Sequence, residues 1–186
     1  MFIRVIDDGL EKLLRAELPL PTDVGDITFE APTNNWSAKL SRLTVNLFLY
    51  EVSRSAQPVR SQTRNGNGQN RVPLPMVQLS YLVSAWAGSP RDEHQLLGDV
   101  VNVLAGQTSL PPSYLSISLA TTVDLGFDDD KHNKPREIWG ATGGQLKASF
   151  TLQATVAADA FEWAADAPPV RHLEVLTAPQ PWTTKP

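Results

Sequence analysis

Between Met76 and Ala87 the sequence MVQLSYLVSAWA sets Val77, Leu79, Tyr81, Val83 and Ala85 at every second position, with Gln78, Ser80 and Ser84 among the residues between them. That alternation predicts a β-strand with one face in the core. The other face still carries Met76, Leu82 and Trp86, so it too is expected to be covered, which makes this a central strand and not a free edge. Ahead of it, Val72-Pro73-Leu74-Pro75 lacks two backbone donors and cannot pair. Behind it, Gly88-Ser89-Pro90 ends the strand and opens a helix.

The same reading orders the rest of the chain. Ile6, Leu10, Leu13, Leu14 and Leu18 form an apolar stripe, predicting an amphipathic helix over Ile6 to Glu17, with Asp7 and Asp8 at its positive end and Pro19 and Pro21 beyond it. A short strand is predicted at Asp26 to Phe29. A turn follows at Ala31 to Asn35, with Trp36 the one large apolar group in a polar connector. LTVNLFLYEV from Leu43 to Val52 alternates as a second long strand. Leu96, Leu97, Val100, Val101 and Leu104 mark a second amphipathic helix with Asp92 and Glu93 in its first turn and Gly106 after its end. Alternation then predicts a strand over Leu115 to Leu125 and another over Leu146 to Val156. A charged loop (Asp128 to Lys134) and a short helix through Ile138 and Trp139 to Gly140 lie between them. Val170 to Leu176 reads as a late strand, and Pro179 to Pro186 is too proline-rich for a regular element. No internal repeat is visible. Two amphipathic helices among one-sided strands predict an α+β fold, a mainly antiparallel or mixed sheet with both helices on one face.

Ser53 to Arg71 breaks the pattern. It has no apolar periodicity, contains Asn65-Gly66 and Asn67-Gly68, and carries Arg54, Arg60, Arg64 and Arg71 with no acidic residue. A connector of that length inside one domain is functional or disordered. Its charge stands out because the whole chain of 186 residues has a net charge of -4, which argues against general nucleic-acid binding. The segment also lacks the aromatic platforms of single-strand binders. Two readings stand level: a solvated flexible loop, and an arm that orders against an acidic protein surface. The five tryptophans, Trp36, Trp86, Trp139, Trp163 and Trp182, are read as core or interface and not as ligand platforms, and Trp163 and Trp182, in stretches without periodicity, are the expected interface residues.

Enzymatic chemistry finds little support. His94, His132 and His172 are far apart and form no metal-ligand spacing. Asp128-Asp129-Asp130 lacks the alternating ligands of a calcium loop. Gly140-Ala141-Thr142-Gly143-Gly144 is not followed by the residues of a phosphate loop, and no GxSxG elbow occurs. No cofactor, metal or catalytic residue is therefore expected. Cysteine is absent, which removes disulfides and thiolate chemistry. The charged N-terminus and the lack of an 18-residue apolar run lead us to expect an unexported, cytoplasmic chain that does not insert into membranes.

Several segments carry a family likeness: TVNLFLYEV at Thr44 to Val52, RVPLPMVQLSYLVSAWA at Arg71 to Ala87, EHQLLGDVVNVL at Glu93 to Leu104, Leu110-Pro111-Pro112, and IWGATGGQLKASFTLQATV at Ile138 to Val156. With IDDGLEKLLRAELP at Ile6 to Pro19, the chain resembles the cap or tail-terminator proteins of contractile injection systems, phage-tail-like particles of the Photorhabdus virulence cassette and antifeeding type. The likeness covers about residues 1–160, leaving 161–186 as an Ala- and Pro-rich arm. It implies a structural role: a homo-oligomeric ring, hexameric in the family, assembled into an injection particle on its inner tube and sheath, ending their polymerisation and fixing particle length. Within that picture Arg54, Arg60, Arg64, Arg71, Trp163 and Trp182 are the expected partner contacts, chosen on composition. Another ring or baseplate component of such a particle, or a small-ligand-binding domain, remain the alternatives.

Overall fold

The computed structural model describes residues 2–58, 63–128 and 134–165. Six strands form one sheet in the order β1 (Gly25–Thr28), β2 (Leu43–Arg54), β4 (Met76–Trp86), β7 (Ser149–Ala157), β6 (Val123–Phe127), β5 (Ser109–Leu110). All neighbours are antiparallel except β1 and β2, so the sheet is mixed and the fold is α+β. β3 (Gln69–Asn70) and β8 (Ala164–Ala165) make a separate two-stranded piece. The predicted central strand is β4, flanked by β2 and β7.

Period two divides the sheet into two faces. Val45, Leu47, Leu79, Tyr81, Val83, Ala85, Leu152, Ala154 and Val156 point one way and are buried against α1 (Phe2–Glu17) and α3 (Pro90–Ala105). α1 contributes Ile6, Leu10, Leu13 and Leu14, and α3 contributes Leu96, Val100 and Leu104, the two stripes legible in the sequence. Ser89 caps α3: its hydroxyl accepts from the Asp92 amide at 3.3 Å, and Pro90 follows at the first turn. On the opposite face, Leu82 and Trp86 meet Trp139 of α4 (Lys134–Thr142) and Trp36 of the one-turn α2 (Asn34–Ser37). Trp36 meets Trp86 edge-on at 5.2 Å, and Trp139 lies 6.0 Å from Trp86. Trp36 is thus the wedge that closes α2 over the sheet, not a stray group in a connector. Close packing here demands Gly144, where a Cβ would stand 2.2 Å from the Pro32 carbonyl oxygen.

Three sequence expectations are corrected. The strand predicted over Leu115 to Leu125 is regular only from Val123. β6 pairs Asp124 with Thr155, and two residues further on β7 ends and turns away, with the Ala158 amide donating to Pro75. Upstream residues therefore have no ladder to join; a one-turn 3₁₀ helix, Pro112–Tyr114, instead turns Tyr114 and Leu115 toward the core beneath α1. Asp7 and Asp8 do not sit at a helix start, because α1 begins at Phe2. Asp7 faces the sheet, where the Tyr81 hydroxyl donates to Oδ1 at 2.7 Å. β7 starts at Ser149, not Leu146, because Lys147 pairs instead with Glu93 of α3, and Leu146 is exposed. The late strand expected at Val170 to Leu176 lies outside the described residues.

Candidate partner-binding surface

The described ends of the basic connector, 53–58 and 63–71, carry more regular structure than their composition suggests. β2 runs on to Arg54, past a bulge between Leu49 and Glu51. Before the bulge Leu47 and Leu49 face the helices; strict alternation would put Glu51 there next. The extra residue reverses the phase, so Val52 opposes Leu79 and Arg54 opposes Val77, and Glu51 turns from the helical face. Beyond the connector's middle, Asn65 Oδ1 accepts from the amides of Asn67 and Gln69, each at 3.0 Å, and Gly68 takes φ 72°. The Asn-Gly steps thus fold a tight hairpin, with Arg64 bridged to Asn70 and the Arg71 amide donating to Thr63 at 2.9 Å.

β8 pairs with this hairpin, Gln69 with Ala165 and Asn70 with Ala164. At its base the Arg71 guanidinium lies 4.2 Å from the Trp163 ring centre and donates to Asp159 at 3.1 Å. The Arg71 side chain is only 8% exposed. Two residues expected at a partner surface are therefore brought together, and their first contact is with each other. Arg54 and Arg64 are exposed, whereas Arg60 and Trp182 lie outside the described residues.

Beside the arm lies an open groove of about 570 Å³, formed by Val52, Ser53, Arg54, Val72, Pro73, Pro75, Val77 and Phe161. Val52, Val72 and Phe161 are 53%, 60% and 42% exposed. The sequence reading missed this apolar lining. Its signal was the Val-Pro-Leu-Pro run: the prolines keep residues 72–75 out of the ladder, so Leu74 packs inward with Met76 while Val72 faces out.

A second cleft near the Trp cluster is lined by Arg42, Trp86, Glu93 and Lys147, among others. There Lys147 pairs with Glu93 and sits 4.7 Å from the Trp86 ring, and Arg42 pairs with Asp26 at 2.8 Å. One pair joins α3 to the residue two before β7, and the other joins β1 to the residue just before β2. His94 is exposed in the first turn of α3, and no group of three or more potential metal ligands occurs among the described residues. No helix among them is long and apolar enough to cross a membrane.

A family profile described as the Pvc16 N-terminal domain matches residues 5–172. The chain belongs to that family. Among solved structures, this Pvc16 N-terminal domain is similar to the PVC sheath/tube terminator of an extracellular contractile injection system in its extended state. The TM-score is 0.65 at 20% identity, covering 95% of this chain and 64% of the other. It is also similar to the tube terminating cap of the anti-feeding prophage, with a TM-score of 0.64 at 16% identity over 92% of this chain and 60% of the cap. At such identities the likeness is one of fold, and the chain spans less than two thirds of either terminator. No curated sequence is significantly similar to it.

Proposed function

We propose that this Pvc16 N-terminal domain is a structural cap of a contractile injection system, a terminator that forms a six-membered ring and ends tube and sheath polymerisation. What carries the reading is the shared fold over nearly the whole chain with a sheath/tube terminator and a tube cap, within an established family. The body, residues 1–160, supplies a rigid wedge covered on both sheet faces, and residues 161–186 act as an arm. A ring closes on itself through head-to-tail contacts, so it ends growth without leaving an unsatisfied subunit face. Contacts of such a permanent assembly bury roughly 2,000 Å² or more. Arg54, Arg60, Arg64 and Arg71, with Trp163 and Trp182, are the contact residues of this reading. Arg71 and Trp163 act jointly by stiffening the arm through their mutual contact, and exposed Arg54 and Arg64 meet acidic side chains of the partner. The work is done by shape and surface match, with no bond made or broken.

Addition of the purified chain to polymerising inner-tube or sheath protein tests this. Substoichiometric amounts are expected to arrest growth and to appear at tube ends by negative-stain imaging; growth that continues at an unchanged rate with bare ends would contradict it.

A further inference from the structure

The alternating run from Leu115 to Thr121 joins no ladder, and it stands at one margin of the sheet, between β5 and β6. Residues 107–123 contain no charged side chain, although charge is a usual guard against pairing at a sheet edge. Leu115 and Leu119 pack against the main core, but Ile117 between them is 49% exposed, with Ser116 and Ser118 exposed beside it. The backbone groups of residues 116–120 make no hydrogen bond among the described residues. The opposite margin is β1, which pairs with β2 on one side only. The chain before and after it, residues 20–24 and 29–42, is described throughout. The Gly25 amide donates to Pro21 at 3.1 Å and the Gly25 carbonyl accepts from Arg15 at 2.8 Å, so these groups face away from β2 and are satisfied. Two residues on, Ile27 presents its amide and carbonyl to the same outer side, where no partner for them occurs among the described residues. Val24, at the head of β1, is 44% exposed.

We infer that two copies of this chain join head to tail through these margins: the run around Ile117 of one copy lies along the outer edge of β1 in the next, pairs with the backbone of Ile27 and covers Val24. A second copy is the fitting occupant because the two features complete each other. One margin has a strand-forming run without an edge, and the other has an edge without a strand. A strand from an unrelated protein would fill the β1 edge and leave the run at the other margin unused. Four strands separate the margins, so the junction forms between chains. Repeated in series it is a heterologous contact, which a ring closes. Two residues suffice for a ladder in this fold, as β5 shows against β6. In a closed ring each copy is held at two junctions, so a junction that is weak alone becomes firm.

This inference rests on the ring of the cap reading, and the test separates the two. Self-association of the full chain is measured by light scattering for the wild type, for Ile117→Asp and for Val24→Asp. Both residues are more than two fifths exposed, so the variants should melt like wild type, and each should lose self-association at least tenfold. Mixed in equal amounts they should form a two-chain complex and nothing larger, because each supplies the margin that the other lacks. The chain has no cysteine, so Val24→Cys/Ile117→Cys carries the only two thiols; this variant adds no charge and answers even if an aspartate unfolds the chain. Oxidised free or attached to purified tube and sheath, it should give a series of covalent oligomers that ends at the closed ring. Undiminished assembly of either aspartate variant, failure of the two to pair, or a disulfide closed within one chain would each overturn the junction and leave the cap reading in place. A wild type that stays monomeric both free and in the presence of tube and sheath would overturn the junction and the ring together. A wild type that assembles but does not attach to tube or sheath would overturn the cap reading and leave the junction.

Discussion

Asp7 shows how a side chain with an evident local role can be put to a different one. An acid early in an amphipathic stripe suggests a helix-dipole partner, but α1 starts five residues before it, and the carboxylate accepts the hydroxyl of fully buried Tyr81. Burial raises its pKa above the ordinary carboxylate range; the Tyr81 hydrogen bond opposes that shift and Asp8 adds to it. Burial first, and then the Asp7 charge, push the Tyr81 phenol upward as well. A carboxyl whose folded pKa is raised contributes stability that is complete below its unfolded pKa, about 4. That contribution fades as pH rises through the folded value. Asp7→Asn keeps an acceptor for Tyr81 and has no charge to desolvate. Urea unfolding should therefore show the variant gaining on the wild type between pH 4 and pH 7; a constant difference across that range would contradict the assignment. Tyr81→Phe leaves the half-buried carboxylate without this donor and should cost about 1 kcal/mol at pH 7. Ser80 provides the opposite case, because its fully buried hydroxyl has no partner among the described residues. Ser80→Ala is expected to raise stability by about 1 kcal/mol, and a loss in the same unfolding assay would reveal a partner for that hydroxyl.

Elements whose stabilisation is local were legible from the sequence; those that depend on a neighbour's length were not. The stripes of α1 and α3, the cap at Ser89 and the two-sided burial of β4 follow from spacing alone. The alternation from Leu115 to Thr121 is as regular as that of β7, yet it makes no strand because β7 ends before it could be paired. The turn of phase at Tyr50 was equally hidden, since the alternation of Leu43 to Val52 by itself carries no mark of the extra residue that shifts the register against β4. Of the candidate site, the basic charge was visible and the apolar groove was not: its residues come from β2, the proline run and Phe161, far apart in sequence. Two element-scale outcomes follow. Gly144→Ala drives a methyl group into the Pro32 carbonyl and the Trp139 ring, and should destabilise by about 2 kcal/mol in thermal or urea unfolding; an unchanged midpoint would mean that the α4–β7 turn is not held against residues 31–32. Arg71→Ala removes the contacts with Trp163 and Asp159 at the base of the arm. Amide exchange in β3 and β8 should then accelerate while β4 stays protected, and equal protection in both variants would show that the arm is held by other means.

At the scale of the molecule, the sheet carries buried clusters on both faces, and the apolar groove and the arginine-bearing arm adjoin at one end. The cap reading stands or falls on particle length. In a strain lacking this gene, tubes and sheaths measured by electron microscopy should show a broad, unregulated distribution of lengths, narrowed again when the gene is restored. Particles of uniform, wild-type length in its absence would contradict the account.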